Sequence, residues 1–141
     1  MLTLKYLLSK SLPLHRDTAP DVAIRGVKAR KRRSNGNPAI VAKVQSKGYV
    51  RGTSPPKKHP IYEAIIEGMM GEGSKVSDKY VSVSCSCEYF LYNCEYALAK
   101  QGASQIRYSN GQPPVVRNPQ EKPILCKHLT RLAQEVIAKG W

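Results

Sequence analysis

Carboxylates are missing from 41 consecutive positions of this chain, residues 22 to 62, between Asp21 and Glu63. Over that stretch nothing in the sequence can neutralise positive charge. Long apolar runs are missing as well. The leucines of the first fourteen residues are interrupted by Lys5 and Lys10 and closed by Pro13, which leaves them too short and too charged to span a bilayer and gives no usable signal peptide. There is no phosphate-cradling glycine loop, no paired-carboxylate motif and no nucleotide-cofactor signature. These absences argue against a membrane span and against an enzyme acting on a small-molecule substrate. Without a secretory signal, the four cysteines read as thiols in a reducing cytoplasmic compartment, or inside a viral particle, rather than as two disulfides.

What fills the acid-free stretch is base. Arg25, Lys28, Arg30, Lys31, Arg32, Arg33, Lys43, Lys47, Arg51, Lys57 and Lys58 carry +11 of the net +13. A run such as residues 28–33, followed by Ser34-Asn35-Gly36-Asn37-Pro38, repels itself unless a polyanion neutralises it. Nucleic acid phosphate, DNA or RNA, is the obvious polyanion, bound through counterion release rather than base reading. An acidic protein surface within a large assembly, anionic lipid or a solubilising arm are the alternatives.

The second signal is a run of small residues, Tyr80-Val81-Ser82-Val83-Ser84-Cys85-Ser86-Cys87. In a strand its valines and both thiols face one way. Downstream, Cys126-Lys127-His128 precedes Leu129, Leu132, Ala133, Val136 and Ile137, the spacing of one buried helix face. Cys126 and His128 therefore stand at a helix start, where free N–H groups favour thiolates. Three sulfurs and an imidazole form a set suited to one tetrahedral Zn2+. A Cys-x-Cys on a strand followed by Cys-x-His opening a helix resembles the SWIM zinc finger, with Phe90 shortly after the first pair. The resemblance covers about residues 76 to 139 and implies a strand-strand-helix module of a kind that binds DNA or proteins within larger enzymes. The 38 residues between Cys87 and Cys126 exceed that family's usual spacer and imply an insertion. Cys94 makes a fifth candidate for four places, either a small buried hydrophobe or a replacement for one of the four.

Along the chain, Leu4, Leu7 and Leu8 suggest a short amphipathic helix that docks on something, or an exposed leader. Residues 40–44 and 49–51 could pair as a hairpin. Residues 53–58 read as a stiff linker, which puts a boundary between a basic, largely extended arm (1–59) and a zinc-binding domain (60–141). Pro60, Ile61, Ala64, Ile65 and Met69 fit a helix ended by Gly71 to Gly73. A second helix is expected over about residues 88–101, and an excursion of short strands over 104–123. His15 and His59 read as surface residues. The expected fold is thus α+β: a small zinc-stabilised module with an added helix and insertion, preceded by an extended basic arm. Cys126 beside His128 lacks a third orienting group, and four ligands fill a zinc, so the metal reads as structural and the chain as non-enzymatic. The expected function is nucleic-acid binding as an adaptor or assembly component. The alternative is a minor structural protein of a virus or phage particle, its arm threading between protein neighbours.

Overall fold

The computed structural model of the chain describes residues 1–31, 36–70, 75–105 and 117–141, and only the backbone of residues 30, 31 and 70. Its frame is an antiparallel meander of four strands in the order β1-β2-β3-β4: β1 Val22–Lys31, β2 Pro38–Ser46, β3 Ile61–Met70 and β4 Tyr80–Cys85. The two-residue period of a strand decides which face is buried. Ile40, Ala42 and Val44 of β2, Ala64 and Ile66 of β3, and Val81, Val83 and Cys85 of β4 all join the core. In β1, Val22 and Ile24 face the same way until Gly26, whose φ of 56° sits in a bulge that shifts the register between Arg25 and Lys28. The extra residue re-phases the strand, so that Val27 packs on the core again.

Helices cover that face. α1 (Leu4–Ser11) is capped by the Thr3 hydroxyl and inserts Leu4 and Leu7. A π-helical turn, Phe90–Cys94, runs into α2 (Glu95–Lys100) and buries Phe90 and Leu98. α3 (Lys127–Ala138) buries Leu129, Leu132, Ala133 and Val136 on one side, the 3.6-residue pattern read from the sequence. The far edge of β4 is closed by neighbours: the Val81 N–H donates to Leu2 O at 2.9 Å and the Val83 N–H to Ala103 O at 2.8 Å. β1 forms the other edge.

Several expectations change. The basic segment expected as an extended arm instead supplies β1 and β2. The boundary expected at 59/60 falls between β2 and β3, which pair continuously from Ala39↔Glu67 to Gln45↔Ile61. The helix expected from Pro60 is strand β3. The expected hairpin of 40–44 with 49–51 is not formed, because Val44 pairs with Ile24 and Tyr62 while Tyr49 bridges Lys58. The docked N-terminal helix and the helix after Cys87 are present. The excursion expected over 104–123 lies largely outside the described residues. Among the described residues no helix is long and apolar enough to cross a membrane.

Candidate metal centre

The ladder between β3 and β4 aligns Ala64 with Cys85 and so delivers Cys85 to the end of the sheet. The next residue carries that ladder one step past the strand. Ser86 donates its backbone N–H to Glu63 O at 3.1 Å, and its hydroxyl accepts the Glu63 N–H at 3.0 Å. With the central residue of Cys-x-Cys fastened, Cys87 turns inward at the start of the following helix, where its sulfur accepts the Phe90 N–H at 3.4 Å. Cys126 caps α3 in the same manner, its sulfur accepting the Leu129 N–H at 3.4 Å. Two cysteines thus use the orphan N–H groups of two helix starts, an arrangement that stabilises negative sulfur.

One ligand atom each from Cys85, Cys87, Cys126 and His128 lies within 4.8 Å of the others. A tetrahedral ion with bonds of about 2.0–2.3 Å spaces its ligands by roughly 3.5–3.8 Å. All four side chains are 3% exposed or less. The imidazole supplies the deciding detail. Its Nε2 lies 3.4 Å from Ser46 Oγ, whereas its Nδ1 is buried with no hydrogen-bond partner among the described residues. A buried orphan nitrogen is costly, and a cation held with the three sulfurs removes that cost. Tyr62 packs against the ring, centroids 5.3 Å apart. These residues fit one metal ion.

Proton affinities follow the geometry. Cys87 is held far below the usual thiol range by the hydrogen bond from the Cys126 thiol, then by that from Cys85. Cys126 is pushed up, mainly by burial and then by its hydrogen bonds to Cys85 and Cys87. The cluster therefore favours one negative sulfur, and the remaining thiol protons are those a cation would displace. Cys94 stands apart. Its thiol donates to Tyr89 O at 3.9 Å, and burial keeps it protonated. Of the two places open to it, the structure gives it that of a small buried hydrophobe.

The peptide ahead of Cys126 is fixed by the far end of the chain. Leu125 donates its N–H to Ser11 Oγ at 2.8 Å, and its carbonyl accepts from His15 Nε2 at 2.7 Å. His15 is consequently buried rather than a surface residue, and Tyr89 packs edge-on against it at 5.3 Å. Ser11, His15, Ser46, Tyr62 and Ser86 support the site, and none carries a sequence signal, because each works through a partner distant in the chain.

Of the eleven bases, Arg25, Lys28 and Lys43 are exposed on β1 and β2. Lys47, Arg51, Lys57 and Lys58 are exposed in the segment that follows β2. Arg30 and Lys31 close β1, and Arg32 and Arg33 lie outside the described residues. No family model, curated protein or solved structure matches the chain.

Proposed function

We propose that the chain is a non-enzymatic domain, stabilised by one structural Zn2+, that binds nucleic acid through the basic face of β1 and β2. Zinc is favoured over other cations by the donor set, since three thiolates and an imidazole suit a borderline-soft, tetrahedral ion. That set also agrees with the SWIM resemblance. A structural role is supported by burial: all four ligands are inaccessible, which leaves no position for a substrate.

The observation that carries the nucleic-acid reading is the register Arg25↔Lys43, with Lys28 opposite Val41 on the same face. Like charges directly across a ladder destabilise a sheet. Glu63 faces Lys43 from the other side and offsets one of the three cations. A polyanion would neutralise the rest, and phosphate is the natural one. The test pairs metal analysis with salt titration. One zinc per chain is expected, and replacing Arg25, Lys28 and Lys43 by Gln should lower the slope of log K against log salt by about 0.7–0.9 per lost contact, with zinc content unchanged. A parent chain that binds no nucleic acid at moderate salt and purifies with a protein assembly would overturn this reading.

A further inference from the structure

Beside the basic face of the sheet, the described residues form a concave basic feature. Where β2 runs out past Ser46, the chain turns at Gly48 (φ 84°), and the segment to residue 60 folds back toward the sheet end. Three contacts hold that return: the Val50 N–H donates to Lys57 O at 2.7 Å, Tyr49 bridges Lys58, and Gln45 Nε2 donates to His59 O at 2.7 Å. A cleft of about 220 Å³ opens between the returning segment and β1. Arg25, Lys47 and Lys58 line it, no acidic side chain among the described residues does, and Ser46 forms part of its wall. Tyr49 also lines the cleft, with 58% of its surface exposed.

We propose that this cleft grips single-stranded nucleic acid, with a backbone phosphate among Arg25, Lys47 and Lys58 and the adjoining base stacked on Tyr49. The inference rests on the nucleic-acid reading above and makes it specific. Size and chemistry select the occupant. The cavity falls below the roughly 300–1,000 Å³ of small-molecule sites, but three cationic residues lining so small a space suit one phosphate. An exposed tyrosine at such a place offers a flat π-surface. The bases of a duplex are already stacked on each other, whereas those of a single strand are free to stack on an aromatic ring. An acidic peptide would engage the cations and leave the ring unused.

The experiment is fluorescence anisotropy with a labelled oligo-thymidine of about 12 nucleotides and with a duplex of similar length. Tyr49→Ala should weaken oligo-thymidine binding by about tenfold or more, Tyr49→Phe should retain it, and duplex binding should change little. Polyglutamate at equal charge should compete poorly. Because Tyr49 is exposed, both variants are expected to fold, which zinc content and thermal unfolding verify. If the parent binds both nucleic acids and Tyr49→Ala binds oligo-thymidine as the parent does, the grip is wrong while the basic-face reading survives. Polyglutamate that displaces the strand as efficiently as unlabelled oligo-thymidine would likewise overturn the grip alone. A parent that binds neither nucleic acid overturns both.

Discussion

His15 donates its Nε2 hydrogen to the carbonyl of Leu125, 110 residues later in the chain and one residue before a candidate metal ligand. With Ser11 on the Leu125 N–H, both backbone polar groups of this buried residue are satisfied by the N-terminal segment. Ser11→Ala strands the N–H and should cost about 1–3 kcal/mol. Chelator resistance should drop with it, as a competition assay against a colorimetric chelator can show. Unchanged resistance and stability would remove α1 from the support of the site.

The same histidine makes stability depend on pH. Burial, the largest influence, lowers its pKa from the ordinary 6.5. The unfolded chain then takes up the proton at a higher pH than the folded one, so stability present above 6.5 is lost as pH falls from there through the lower folded value. His15→Gln keeps a donor for Leu125 without titrating there. Between pH 7 and 5, the melting temperature of the parent should fall more steeply than that of the variant; parallel curves would contradict the assignment.

Removing a sulfur should behave differently at two positions. Cys87→Ser should lose both the metal and cooperative unfolding, because site formation and folding are coupled. Cys94→Ala should keep one metal per chain and cost about 1 kcal/mol of packing. Metal analysis with thermal unfolding separates them, and a full complement in Cys87→Ser would rule out the four-residue site.

Ser46 tests the orientation of the imidazole. Its hydroxyl is the partner of His128 Nε2, and loss of such a partner commonly lowers metal affinity by about 10–100-fold. Ser46→Ala should show that drop in competition with a chelator while Ser46→Thr, which keeps a hydroxyl, recovers part of it. Equal affinity in all three would mean that Nδ1 needs no help from Nε2.

The Cys/His cluster was legible because thiols and imidazole at one-residue gaps sit beside a clean strand pattern and a clean helix pattern. α3, with Cys126 at its cap, followed from periodicity alone. Strand β3 was not legible. Ile61, Ala64, Ile65 and Met69 satisfy a helix, while the alternation that wins places Ala64 and Ile66 on the core side. β1 was hidden twice, by bases that read as an arm and by the bulge at Gly26 that breaks the two-residue period. The supporting residues around the cluster were invisible because their partners lie elsewhere in the chain.

The order in which the chain folds follows from where the site sits. Its ligands come from the end of β4 and the start of α3, and the peptide leading into α3 is clamped by the N-terminal segment. A finger with adjacent ligand pairs can capture its ion from a short, locally ordered loop. Here the 38 residues between Cys87 and Cys126 must be spanned, and the N-terminal segment must reach Leu125, before the fourth donor is in place. Capture of an ion at this cluster would therefore come late in folding, and a bound metal would slow unfolding more than it hastens folding.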